Sequence, residues 1–187
     1  SKRVYGEVYE VDSEQLKQLD ELEGYEGKGQ NNDYERMIQI IYTDYGQIKA
    51  FVYVYLSDRV RELKEIATGD WKCHRYLQQD KLLYFAYGSC MDDERFRAAG
   101  VKEPFESVAG SGIASNFSLA YTHESHDGGR ADMIESSKQV EGKVYRIERN
   151  TLEYLFKREG VRASIYRPAF IDVVIDGVPH HNVLTFL

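Results

Sequence analysis

The chain has 187 residues, 42% apolar and 29% charged, which suits one ordinary domain or two small ones with a real core and excludes a disordered segment. Its 24 basic and 31 acidic residues leave a net charge of -7, which argues against a broad electrostatic grip on nucleic acid, and no run approaches the roughly 18 apolar residues of a membrane span. Two cysteines, Cys73 and Cys90, make neither a disulfide framework nor a four-thiolate metal site, and with no secretory leader the expectation is a cytoplasmic protein.

Arg3 to Val11 reads as a strand, and the absence of an initiator methionine suggests a chain cut at its front. Asp12 or Ser13 can cap a helix whose stripe is Leu16 and Leu19 and which ends at Gly24. Tyr34, the strand MIQIIY, a turn at Asp44-Tyr45-Gly46 and the strand IKAFVYVY follow. Residues 57–80 read as a helical connector, with Trp71 and Tyr76 pinning it to a neighbour. Leu82 to Ala86 is an apolar run with the look of a buried strand, and Tyr87-Gly88-Ser89-Cys90 turns after it. Asp92 or Asp93 then opens a helix through Glu94, Phe96 and Ala99 to Gly100. His123-Glu124-Ser125-His126-Asp127 lies in a polar stretch ending at Gly128-Gly129 and reads as a solvated loop, as do His180 and His181; no metal site is expected.

An internal repeat organises these elements. Residues 4–25 (VYGEVYEVDSEQLKQLDELEGY) align without a gap on residues 140–161 (VEGKVYRIERNTLEYLFKREGV), at an offset of 136. Eight of the 22 positions are identical: Val4/Val140, Gly6/Gly142, Val8/Val144, Tyr9/Tyr145, Leu16/Leu152, Leu19/Leu155, Glu23/Glu159 and Gly24/Gly160. Each copy reads as strand, turn and short helix. In the second, Asn150 offers an N-cap with Glu153 three residues on, and Leu152, Leu155 and Phe156 form the stripe. Each copy is followed by a tyrosine and a hairpin; the second hairpin is Tyr166, AFIDVVI, a turn at Asp176-Gly177, and HNVLTF. The domains are therefore drawn as 1–80, the latter half of a first unit plus connector, and 81–187, a second unit. Equivalence of the units would put roughly 60 further residues ahead of the first.

Three groups could carry chemistry. Glu159 lies seven residues after Leu152 and four after Leu155, which puts its carboxylate on the apolar stripe; Glu23 repeats the relation. Burial there would raise its pKa toward the range of a general base, whereas a frayed last turn would leave it exposed. The strand, glycine turn and helix start around residues 87–91 can aim backbone N–H groups at an anion or a developing oxyanion, though most such turns are only turns. Cys90 at that turn is either a thiolate nucleophile or an unreactive thiol.

At Tyr87-Gly88-Ser89 and Glu159-Gly160 the chain resembles the gamma-glutamylcyclotransferase-like family. The second unit carries the strand and YGS turn, then Gly129-Arg130-Ala131-Asp132-Met133-Ile134, the Val-x-Gly-x-Val-Tyr strand, the helix ending in Glu-Gly, and Tyr166. The family pattern at the turn is Tyr-Gly-Ser-Asn; here Cys90 holds the last place. In the first unit Leu19-Asp20-Glu21-Leu22-Glu23-Gly24 is similar to the family's Leu-Asp-x-x-Glu-Gly. The whole resembles a tandem-domain bacterial member truncated at its N-terminus.

That resemblance implies an α+β fold, a small mixed β-barrel with flanking helices, in one incomplete and one near-complete copy packed together within the chain. It implies release of 5-oxoproline from a small γ-glutamyl amine or peptide, with no cofactor, metal, nucleic-acid or membrane partner. Glu159 would be the general base and acid, with Glu23 its equivalent in the first unit. Tyr87, Gly88, Ser89, Cys90, Met91 and Tyr166 would bind substrate. A non-catalytic binding or scaffold protein of the same fold, and thiol-based acyl transfer through Cys90, are the alternatives.

Overall fold

The computed structural model describes residues 3–55, 60, 63–66, 68–91, 100, 105–125 and 128–187. The helix expected to open at Asp92 or Asp93, the His126-Asp127 pair and part of the 57–80 connector lie outside them. The chain divides into two compact units, Ser1–Gly69 and Asp70–Leu187.

The first unit has one helix, α1 (Ser13–Leu22), and one hairpin, β1 (Tyr34–Thr43) and β2 (Gly46–Tyr55). Asp12 begins α1 by accepting hydrogen bonds from the N–H groups of Glu14 and Gln15, while the Gln15 side chain accepts from the Asp12 N–H at 2.9 Å. This capping box satisfies donors that a helix start leaves orphaned. The hairpin pairs Thr43 with Gly46, so Asp44 and Tyr45 form a two-residue turn. Helix and hairpin are tied by Asp20, which receives Arg36 Nη1 at 2.6 Å and the Tyr53 hydroxyl at 2.6 Å. The intervening loop winds around buried Asn32, which accepts from Glu26 N–H and donates to the Gly27 carbonyl and the Glu35 carboxylate. The strand expected over Arg3–Val11 does not form: only Tyr5 makes a bridge, and Val8, Tyr9 and Val11 are exposed. A strand needs a ladder partner for its backbone, and none flanks this segment among the described residues.

The second unit begins with α2 (Trp71–Tyr76), capped by Asp70. Tyr76 packs on Phe170 with ring centroids 5.3 Å apart, whereas Trp71 is exposed and lies against His74 of its own helix. A closed five-stranded barrel follows. It comprises β3 (Lys81–Ala86), β4 (Val108–Ser125), β5 (Gly128–Glu148), β6 (Pro168–Ile175) and β7 (Val178–Phe186), ordered β3-β5-β4-β6-β7. Adjacent strands are antiparallel except β3 and β7, which close the barrel in parallel at Tyr84 and Leu184. The β6–β7 turn places Asp176 and Gly177 at φ 48 and 85, the left-handed pair that matches strand twist.

Strand alternation feeds two cores. Tyr84, Tyr145, Ile147, Phe170 and Phe186 meet Leu152 and Leu155 of α3 (Thr151–Arg158), while Phe85, Ala114, Met133, Val144 and Val173 point the other way into a cluster of strand residues alone. Asn150 makes no side-chain cap to α3: its backbone is already helical, so its carboxamide cannot reach back to the first N–H groups. Among the described residues no helix is long and apolar enough to cross a membrane.

The repeat pair Gly6 and Gly142 separates local pattern from tertiary demand. A Cβ on Gly142 would lie 2.3 Å from the Ala86 carbonyl oxygen and 2.6 Å from the Phe85 ring, whereas one on Gly6 meets nothing within 4 Å. Gly142→Ala should therefore lower stability by about 1–3 kcal/mol, and Gly6→Ala should stay within about 0.5 kcal/mol. Thermal or urea melts of the two variants check this; equal effects would contradict the packing.

Candidate active site

The site grows from two chain reversals that meet. The first is the exit of β3. The Tyr87 hydroxyl donates to the Phe186 carbonyl at 2.5 Å, tying the exit to β7. Ser89–Met91 form a single 3-10 turn, closed by Met91 N–H donating to the Gly88 carbonyl at 2.9 Å. The Tyr145 hydroxyl donates to the Cys90 carbonyl at 3.1 Å and fixes the turn from below. Met91 thus spends its N–H inside the turn. The N–H groups of Ser89 and Cys90 belong to the same turn.

The second reversal is the end of α3. Glu159 is the C-cap, with its N–H on the Leu155 carbonyl at 2.8 Å, and Gly160 follows at φ 63. That left-handed step suits glycine, and a Cβ there would also strike Ile165 at 2.7 Å. The Glu159 side chain is only 17% exposed. The Cys90 thiol donates to its Oε1 at 3.2 Å. Arg158 Nε donates to the Cys90 sulfur at 3.0 Å, Nη2 to the Ser89 hydroxyl at 3.2 Å, and Nη1 to the Tyr154 hydroxyl at 3.2 Å. The Tyr166 hydroxyl, just beyond α3, donates to the Ala131 carbonyl of β5 at 2.7 Å.

Electrostatics at this junction are set by burial. Burial lifts Glu159 above the usual carboxylate range, opposed by the Cys90 hydrogen bond and by the charges of Arg158 and Arg130. Burial, then the Glu159 charge, pushes the Cys90 thiol up to about 11. The thiolate nucleophile entertained from sequence is therefore corrected: Cys90 is a buried neutral thiol. Cys73 is likewise buried, pushed up to about 12, and donates to the Pro168 carbonyl. Burial also raises Tyr87 and Tyr166, the latter to about 12, with Asp132 and Glu159 adding to both and Arg130 opposing at Tyr166.

The second unit thus brings Glu159, Ser89 and Cys90 together, with Tyr87 and Tyr166 anchored beside them. Glu23 shares the Glu159 backbone conformation, at φ -88 and ψ 1 against φ -81 and ψ 0, and Gly24 follows at φ 62. No YGS-type turn faces Glu23 among the described residues. Arg158 and Tyr145 were not singled out from sequence. The repeat hid Arg158, whose counterpart is the exposed Leu22; it marked Tyr145, whose counterpart Tyr9 is exposed. An open trough of about 840 Å³ along β4 and β5 touches the site only through Met91; Ser111, Glu141, Lys143 and Asp176 line it, and Glu159 does not. No cluster of three or more metal-ligating side chains occurs among the described residues.

Two outcomes follow. Cys90 is 4% exposed, so at neutral pH it should react with iodoacetamide far more slowly in the folded chain than after denaturation; mass spectrometry of the labelled peptide measures the ratio, and equal rates would contradict the burial. A carboxyl group whose folded pKa is raised stabilises the fold below its unfolded value, about 4.3, and that stability is lost as pH rises through the folded value. The wild-type melting temperature should therefore fall relative to Glu159→Gln as pH climbs through that window. Parallel curves would show that the carboxylate is not desolvated.

Comparison with known proteins meets this geometry. The sequence model of the family "Gamma-glutamyl cyclotransferase, AIG2-like" matches residues 1–73. The chain is 39% identical over 186 residues to "Putative gamma-glutamylcyclotransferase YkqA" of Bacillus subtilis, covering 98% of this chain and 64% of that protein. It is 34% identical over 114 residues to a gamma-glutamylcyclotransferase of Bos taurus, covering 56% of this chain and 59% of the bovine one. The crystal structure of YkqA superposes with a TM-score of 0.86 at 38% identity, over 98% of this chain and 64% of its own. An uncharacterised Homo sapiens protein superposes at 0.51 and 25% identity, over 58% of this chain and 67% of its own. The chain thus spans about three fifths of the length of the two curated relatives. The family model matches the first unit, YkqA matches nearly the whole chain, and the chain is similar to proteins of the gamma-glutamylcyclotransferase, AIG2-like family.

Proposed function

We propose that the second unit releases 5-oxoproline from a γ-glutamyl amine or peptide. The observation that carries this reading is the buried Glu159 carboxylate facing the Ser89–Met91 turn across one hydrogen bond of 3.2 Å. A non-catalytic binder has no need to retain an acidic group at a site where burial disfavours its charge.

The reaction is an intramolecular ring closure. The substrate's α-amine nitrogen attacks its own γ-carbonyl carbon, and Glu159 takes a proton from that nitrogen. The carbonyl oxygen becomes an oxyanion, which accepts hydrogen bonds from the N–H groups of Ser89 and Cys90. Collapse of the tetrahedral carbon breaks the bond to the leaving amine, and Glu159 returns the proton to that amine. The products are 5-oxoproline and the free amine. Holding amine and carbonyl at attack distance can supply on the order of 7–11 kcal/mol of the barrier. The raised pKa of Glu159 suits a base that must take a proton and give it back in one cycle. Among the described residues a turn faces Glu159 and none faces Glu23, so the proposal concerns Glu159.

The test is a 5-oxoproline release assay over a panel of γ-glutamyl amines and peptides. The wild-type chain should release 5-oxoproline from at least one member, with a rate rising through the Glu159 pKa. Glu159→Gln should lose roughly 10²–10⁴-fold while keeping its melting transition. Absence of release from folded protein across the panel, or full activity in the variant, would overturn the proposal.

A further inference from the structure

The junction holds two side chains that the reaction above does not use. Arg158 precedes the base, yet its Nε stands 3.8 Å from Glu159 Oε1, too far for a direct hydrogen bond. The Cys90 sulfur lies between them, accepting from Arg158 Nε at 3.0 Å and donating to Oε1 at 3.2 Å. The other arms of the guanidinium reach Ser89 on the turn and Tyr154 on α3, so one planar group grips both reversals.

We propose that Arg158 and Cys90 are positioning residues for Glu159, a guanidinium–thiol–carboxylate relay that fixes Oε1 and presents Oε2 to the substrate amine. The kinetic consequence rests on the cyclotransferase reading; the relay does not. The chemistry of sulfur favours the arrangement. A thiol is a weak donor, so it orients a carboxylate while lowering its basicity less than a stronger donor would. Placed 3.2 Å from a carboxylate, it also keeps its proton, since losing it would set two negative charges side by side. Guanidinium charge behind the sulfur favours the ionised base from 3.8 Å, beyond direct hydrogen-bond reach of Oε1. The other groups facing Glu159 are Arg130 from β5, Tyr84 from β3, Tyr87 at its exit, and Tyr166 after α3, while Asp132 acts on Tyr87 and Tyr166. Among these Arg130 alone favours the carboxylate, so Cys90 and Arg158 supply most of what opposes burial.

The S–H stretch reads the relay directly in the full chain. The band lost in Cys90→Ala belongs to Cys90 and separates it from Cys73. In Glu159→Gln it should move to higher frequency, because the carboxylate acceptor has become a weaker amide. Kinetically, Cys90→Ala and Arg158→Met should each displace the acidic limb of kcat/KM upward by about one pH unit, lowering the rate about tenfold below the limb. Cys90→Ser, which keeps a donor, should recover most of the displacement. Melting curves of each variant separate these effects from loss of the fold. An S–H band identical in the wild type and Glu159→Gln would overturn the relay, as would a Cys90→Ala profile that does not move. A wild-type chain that shows the band shift but releases no 5-oxoproline would retain the relay and overturn the cyclotransferase reading.

Discussion

A carboxylate taken out of water costs free energy in its charged form, and the second unit is arranged around one. Glu159 closes α3 at the negative end of the helix dipole, so helix geometry adds to the penalty of burial. Two arginines and a thiol oppose it. Their balance requires that the end of α3 and the exit of β3 be held together, as the contacts of Cys90 with Arg158 and Glu159 do. Gly160 supplies the left-handed step that ends the helix, and Tyr145 and Tyr87 brace the other side from within the barrel. The polar contacts of the site are thus fastened to the apolar core that α3 shares with the strands.

The repeat shows how far local sequence alone can go. Both copies make a helix that stops at a glutamate with nearly the same backbone angles, followed by a glycine with φ near 60°. What differs is the surroundings. In the second unit β3 and β4 flank the repeated strand, bury Val144 and Tyr145, and leave no room for a side chain at Gly142. In the first unit the matching segment has no ladder among the described residues, and Asp20 instead joins Arg36 and Tyr53 in a polar knot where the second unit packs Phe156 against Phe186. One motif therefore sits in two different settings, and the second buries its glutamate beside a thiol and two arginines.

Much of this was legible in the residues. Asp176-Gly177 marked a hairpin because few pairs tolerate two positive φ values in succession, and Leu152, Leu155 and Glu159 shared a face because a helix has one period. The reading of Arg3–Val11 as a strand failed because alternation records which side could be buried, not whether a partner is present. The Asn150 cap failed because capping depends on a backbone angle that the residue type does not fix. Arg158 was hidden because its role is spatial: its partners lie 68 and 69 residues away on the turn, and no spacing rule links them. Closure of the barrel was equally unreadable, since the β3–β7 pairing joins strands with no common turn.

That closure also governs how the molecule comes into being. Tyr87 reaches Phe186 across 99 residues and Thr185 reaches Phe85 across 100, so the last seam of the barrel joins segments far apart along the chain. Loop-closure entropy makes such contacts late and slow to form, and mixed barrels fold sluggishly for that reason. The turn at residues 89–91 and the end of α3 can each form locally, but their meeting waits on the seam. A partly folded chain would carry helix and hairpins without a competent junction, so chemistry and barrel closure should appear together in time.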